Sequence, residues 1–387
     1  MATNASRRVR GFTITELLVV IVIFVLIIGI AIPAFKSMIE SSERALAENQ
    51  LRVGLSAARN AAIQNPAADA AAVFFFEPGG RLSIVPCISV GFLGDREMNG
   101  STATGRTGAD REVFVPLATG TPVQLPRNWM VRAYTPANTV SGSNADPATG
   151  NANGWYDSLS LGGGPGSDPS ATGHWIFPET NFFNAAAATI ESNGWQRQTF
   201  MVRFKNGTGE LDASNRTLCL VIDPIASEGF RTSAPYSQFR LDQASDLASS
   251  VRRLLEAKTL SVTDQNDRLK VLGDTSIDSI LARPVTELSV YNERSLTAGL
   301  ASALQYRGTN RVTGTMYSDP AQSDGPELDS TLFAAGGADL LSVNDAIGRW
   351  IEGRLREGNS SGGDLIETDS RIFTLQRYLG QVQELRD

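Results

Sequence analysis

Histidine occurs once in this 387-residue chain, at His174, and cysteine twice, at Cys87 and Cys219. A single imidazole excludes every multi-histidine zinc site. It leaves a histidine-based triad one candidate, in a glycine- and proline-rich stretch beside Trp175 where a solvated loop histidine is the simpler reading. Lysine is scarce too: only Lys36, Lys205, Lys258 and Lys270 stand among the 34 basic residues, a skew of composition rather than of function. With 41 acidic residues the formal charge is -7, which argues against nonspecific nucleic-acid binding, since that relies on clustered cations against phosphates. No G-x-x-x-x-G-K-[ST] phosphate loop is present. The glycines of Gly162-Gly163-Gly164-Pro165-Gly166 follow no strand and open no helix, so a dinucleotide site is not expected. These absences lead to the expectation of a protein that is not an enzyme and holds no cofactor.

What the chain does have is a long apolar run. From Phe12 to Phe35 there are 24 residues with one charge, Glu16. At about 1.5 Å per residue a helix of that length crosses a bilayer. Arg7, Arg8 and Arg10 precede it, and by the positive-inside bias they keep the N-terminus cytoplasmic and send the bulk of the chain across. The run is too long for the core of a cleavable secretory signal, and a plain anchor does not call for a carboxylate five residues in. An ionisable group in a membrane segment is costly and points to a function and a partner.

The junction Gly11-Phe12-Thr13-Ile14-Thr15-Glu16-Leu17, followed by an apolar helix, resembles the class III signal of type IV pilins and type II secretion pseudopilins. The resemblance implies that a prepilin peptidase cuts after Gly11, that Phe12 becomes the N-methylated terminus and that Glu16 guides assembly. It also places Pro33 where the family often has a helix-loosening proline. Cutting there removes three arginines and leaves 31 basic against 41 acidic residues, a charge of -10. The physics agrees: Glu16 lies about 6 Å along the axis from the new terminal amine. In a filament of staggered helices it can meet the amine of a neighbour, and opposite charges attract strongly in a low-dielectric bundle.

Beyond the membrane the helix is expected to continue to Pro66, with Phe35, Met38, Ile39, Ala45, Leu46, Val53, Ala57 and Ala61 as the apolar stripe that packs on a sheet. Its end, Leu51 to Asn65, is similar to the same region of H-type minor pseudopilins and their type IV pilus relatives. Strands are expected at Ala71 to Phe76, Arg81 to Val90, Glu112 to Pro116, Trp129 to Tyr134, Gln198 to Lys205 and Thr217 to Ile222. Arg371 to Val382 reads as a closing strand. Residues 135–173 are turn-rich and read as loop, whereas 225–360 carries two helix signals, Leu241 to Leu255 and Leu340 to Leu355.

Other candidates weigh less. Asp146, Asn151, Asn153 and Asp157 offer oxygen ligands of the kind calcium takes, and some pseudopilins bind calcium, but their spacing fits no loop pattern and they read as turn residues. Trp155, Trp175 and Trp195 either pin a long loop to the core or form an exposed recognition surface. Cys87 and Cys219, on expected strands on the oxidising side, are either buried free thiols or a disulfide, and a disulfide requires Cα atoms within about 7 Å.

The expected fold class is therefore α+β and pilin-like: a long N-terminal helix, transmembrane in its first half, packed on an antiparallel β-sheet domain with inserted loops and helices. The expected organisation is a leader at 1–11, a helix at 12–66 (12–35 transmembrane, 36–66 amphipathic) and an extracytoplasmic β-rich domain at 67–387 with insertions at 135–195 and 225–360. The resemblance implies a minor pseudopilin of a type II secretion pseudopilus; a minor type IV pilin in a pilus or DNA-uptake filament, and a signal-anchored binding protein or enzyme, are the alternatives. Its partners would be the prepilin peptidase, other pilin or pseudopilin subunits and the inner-membrane assembly platform, with no nucleic acid at the globular domain. Its size exceeds that usual for the family's major subunits, which implies a minor or tip position, and its helical insertion is similar to K-type tip pseudopilins, which typically lack the glutamate that Glu16 supplies here.

Overall fold

A computed structural model describes residues 14–77, 81–93, 111–135, 174–176, 198–213, 219–222, 247–249, 251–252, 255, 279–304, 346–357, 362–377 and 382–385. The leader junction Gly11-Phe12, the calcium candidates Asp146 to Asp157, and Trp155 and Trp195 lie outside the described residues. The chain divides into two compact units, Met1–Leu46 and Ala47–Asp387.

Helix α1 runs Ile14–Gln64, and in the first unit it presents apolar side chains to the outside, with Leu17, Phe24, Val25 and Leu26 all more than half exposed. In the second unit its buried face is Ala47, Leu51, Gly54, Leu55, Ala58 and Ala62. This corrects the expected stripe, because Leu46 and Val53 stay about half exposed. The packed face is made of small residues at helical spacing, so the backbone itself comes close to the sheet. A Cβ built at Gly54 would sit 2.7 Å from Ile84 Cγ2. The last turn is closed by a loop of the sheet: the Gly207 N–H donates to the Ala62 carbonyl at 2.8 Å, and Gly207 and Gly209 take the left-handed φ that this tight turn needs.

The strands are β1 (Ala70–Glu77), β2 (Arg81–Leu93), β3 (Arg111–Pro116), β4 (Val123–Gln124), β5 (Trp129–Thr135), β6 (His174–Ile176), β7 (Gln198–Phe204), β8 (Cys219–Ile222), β9 (Ser279–Pro284), β10 (Glu287–Asn292), β11 (Arg371–Leu375) and β12 (Val382–Glu384). The first sheet has the order β1-β7-β9-β8-β3-β2-β4, and β1 also pairs with β2, so six strands close into a barrel with β4 attached to β2. The expected antiparallel sheet is thus refined on one point and corrected on another. The sheet closes on itself, and two of its pairings, β3 with β8 and β7 with β9, are parallel.

Strand alternation sorts the barrel residues. Odd positions of β1 (Ala71, Val73, Phe75) point inward with Val85, Cys87, Phe114, Met201, Cys219, Val221, Ile280 and Ala282, and fill the interior. Even positions (Ala70, Ala72, Phe74) join Leu82, Ile84, Phe200 and Phe204 against α1. On another part of the outer surface Ile88, Val113, Leu220 and Ile222 pack on Leu247 and Val251, which belong to the first helix signal read from the sequence.

The second sheet, β12-β11-β10-β5-β6, is antiparallel throughout. Its central strands β5 and β10 are buried on both faces, one face sharing the core with α1 and the other meeting Trp350, whose ring stands edge-on to Tyr291 at 5.9 Å. Helix α2 (Glu293–Leu304) follows β10 directly. The region 225–360 is therefore no simple helical insertion, since it supplies β9 to the barrel and β10 to the second sheet. The expected single closing strand breaks after Leu375 and returns as β12, forming a hairpin registered Phe373 to Glu384. His174, expected in a loop, lies on β6 opposite Thr135.

Candidate functional site

Glu16 sits in the first turn of α1, where its charge is favoured by the unpaired N–H groups and dipole of a helix start. Thirteen of the 14 residues from Glu16 to Gly29 are apolar or glycine apart from that carboxylate, all are exposed, and nothing approaches within 4 Å of a Cβ built at Gly29. The helix runs on through Pro33, whose missing N–H leaves the Gly29 carbonyl without its usual donor. A single carboxylate at the start of an uncovered apolar helix is thus the geometry of this end of the molecule. Among the described residues no helix is long and apolar enough to cross a membrane.

Residues 6–32 match the model of the prokaryotic N-terminal methylation motif. The chain carries a prepilin-type signal. The motif supports a type IV pilin-like protein, and such a signal implies cleavage by a prepilin peptidase and assembly with other pilin-type subunits. The match takes in Arg7, Arg8, Arg10, Gly11, Phe12 and Glu16 and stops one residue short of Pro33. No curated protein and no solved structure matches the chain.

The globular unit holds a second polar feature that the sequence reading missed. At one end of the barrel interior Arg203 of β7 meets three carboxylates: Asp69 at 2.6 Å, Glu112 at 2.6 Å and Asp212 at 3.4 Å. Asp69 precedes β1, Glu112 is on β3, and Asp212 follows the turn after β7. Asp69 also accepts the Asn206 backbone N–H at 2.9 Å, and the Ser89 hydroxyl donates to Glu112 at 2.5 Å. The guanidinium carbon lies 5.5 Å from the Phe114 ring centre. Burial pushes the Glu112 carboxyl above its ordinary range, and the Ser89 hydrogen bond and the Arg203 charge only partly offset this. A related arrangement occupies the second sheet, where Arg132 donates to the Tyr291 hydroxyl at 3.0 Å beside buried Glu293.

Neither cluster offers an activated nucleophile. Burial pushes the Cys219 thiol up to about 12 and raises Cys87 further. Both cysteines are free and buried, so the candidate disulfide is not formed. The strand register gives the reason. Cys87 is opposite Pro116 on β3, whereas β8 places Cys219 level with Glu112, four residues along the same strand. That offset alone is about 13 Å at 3.3 Å per residue, beyond the reach of a bridge. Trp175 is buried against Tyr134, with ring centres 5.2 Å apart, and acts as an anchor rather than an exposed surface.

Proposed function

We propose that this chain is a minor pseudopilin of a type II secretion pseudopilus, a structural subunit with no catalytic activity and no cofactor. In this reading the leader ends at Gly11, Phe12 is methylated, residues 12–35 anchor the subunit in the inner membrane with its N-terminus cytoplasmic, and the domain from residue 67 lies on the far side. The observation that carries it is the methylation-motif match over residues 6–32, joined to a helix whose apolar side chains from Leu17 to Ile28 are all exposed. Lipid before assembly and neighbouring helices after it are the two environments that suit such a surface. Glu16 favours the second, because a carboxylate is costly in lipid and among other subunits can meet a neighbour's terminal amine.

The test is the N-terminus of protein purified from a host with prepilin peptidase. Mass spectrometry should find methylated Phe12 in the parent and Met1 or Ala2 in Gly11→Val, which cannot be cut. A parent that begins elsewhere overturns the reading. Co-purification with secretion-type rather than pilus-type subunits separates the pseudopilus from a minor type IV pilin.

A further inference from the structure

A groove of about 480 Å³ opens between α1 and the segment 122–127, with Gln50 on the helix side and Arg81 and Arg127 on the strand side. That volume falls in the range of small-molecule sites, roughly 300–1,000 Å³. The β2–β4 register, with Ser83 opposite Gln124, carries Arg81 level with position 126 and so beside Arg127. The Arg81 guanidinium is held by a neutral partner, the Gln124 side chain at 3.3 Å. No carboxylate among the described side chains pairs with Arg81 or Arg127, although the chain as a whole carries an excess of acid. On the helix side the Oε1 atom of Gln50 is buried without a hydrogen-bond partner among the described residues, which is costly unless an occupant donates to it.

These groups set the chemistry of an occupant. The backbone of the strand wall adds little, because Pro122 and Pro126 have no N–H and that of Leu125 is committed to the Leu82 carbonyl at 2.9 Å. Recognition therefore falls to side chains: two planar forks that take a carboxylate in bidentate fashion, and one amide oxygen that takes an O–H or N–H. The rings of Pro122 and Pro126 and the side chain of Val123 add apolar surface between the charges. A sugar acid meets all of these demands on one rigid ring, with a carboxylate, neighbouring hydroxyls and a C–H face. A glutamate side chain brings the carboxylate alone and would rely on main-chain bonds that this wall does not supply.

We propose that this groove binds a uronate, one acidic unit of an anionic polysaccharide, with its carboxylate on Arg81 and Arg127 and a ring hydroxyl donating to Gln50. The arginines select the charge, and the Gln50 amide selects a hydroxylated ring over a bare acid.

Isothermal titration calorimetry of the full chain in detergent micelles tests this, with trimers of galacturonate and of mannuronate as probes and their methyl esters, which lack the charge, as controls. At least one uronate trimer should bind and weaken as salt rises, and its ester should bind about tenfold more weakly or worse. Arg81→Gln/Arg127→Gln should lose about the same factor while keeping the parent's thermal melt. Gln50→Met should lose about fivefold, the worth of one neutral hydrogen bond. Absence of binding by both trimers, equal binding of an ester, or binding that either variant leaves unchanged would overturn the proposal. So would a triglutamate peptide that binds as tightly as either trimer, since a protein segment would then be the occupant.

Discussion

Arg203 grips Asp69 with two of its nitrogens, Nε at 3.1 Å and Nη2 at 2.6 Å from the same Oδ2 atom. Asp69 is the residue just before β1, and Arg203 is the last inward-facing residue of β7, so the contact ties the start of the barrel to its neighbouring strand. Replacing Arg203 with Met keeps the bulk and leaves buried Glu112 and Asp212 and half-buried Asp69 without their shared cation. The expected loss is about 3–5 kcal/mol, the usual cost of stranding buried charge. A thermal or urea melt measures it, and a loss below about 1 kcal/mol would show that the carboxylates find other partners.

Glu112 makes the opposite prediction. Its folded-state pKa is raised by burial, so its contribution is favourable while it holds a proton and is lost as pH rises through that raised value. Its Oε2 contact with Arg203 is short but is not aligned as a hydrogen bond. Glu112→Gln should therefore melt higher than the parent at neutral pH, and the gap should close as pH falls below the ordinary carboxylate range. A variant less stable than the parent at pH 7 would mean that the ion pair outweighs burial.

At the helix–barrel contact, Gly54→Ala places a methyl group 2.7 Å from Ile84 Cγ2 and should cost about 1–3 kcal/mol by overpacking. Ile84→Ala alone leaves a cavity and should cost about 2–5 kcal/mol. Combined, the two changes should cost less than their sum, a coupling that a double-mutant cycle of melts reads directly. Strict additivity would show that the two groups do not press on each other.

Assembly is tested at Glu16. Glu16→Ala should remain inserted and be cleaved after Gly11, since removing a charge from an apolar helix eases its stay in lipid. It should lose most of its entry into filaments, read as the fraction of processed protein that crosslinks to other subunits. Glu16→Gln keeps the shape and drops the charge, so it should behave as Ala does if attraction to a neighbour's amine is the cause. Parent-like incorporation of both variants would remove Glu16 from the assembly mechanism.

The N-terminal site was legible because it is contiguous: basic leader, Gly-Phe junction, carboxylate and apolar run all fall within residues 6–32. Most strands were legible for a similar reason, each being a short apolar run between turn residues. Barrel closure was not, because it depends on β9 entering between β7 and β8, and nothing in Ser279–Pro284 names its neighbours. The helix face was misread by part of a turn: the expected stripe ran through Leu46, Val53, Ala57 and Ala61, whereas the buried face is Ala47, Leu51, Gly54, Leu55, Ala58 and Ala62. The Arg203 cluster left one signal, a charged residue at an inward position of an otherwise apolar strand, and Arg132 repeats it on β5. The partners, at positions 69, 112 and 212, come together only once the barrel is closed.

Closure of the ring also sets a timetable. β1 begins at Ala70 and finds β2 at once, yet β7 and β8 face each other across a gap that only Ser279–Pro284 fills. Synthesis must pass residue 284 before the barrel can exist, and contacts so distant in sequence form slowly. A nascent chain stopped between Ile222 and Ser279 holds β7 and β8 without the strand that joins them, and so exposes two strand edges at once. The stretch from Gln198 to Ser279 is thus an interval in which the growing protein is most prone to pair with the wrong chain, and in which a chaperone has most to do.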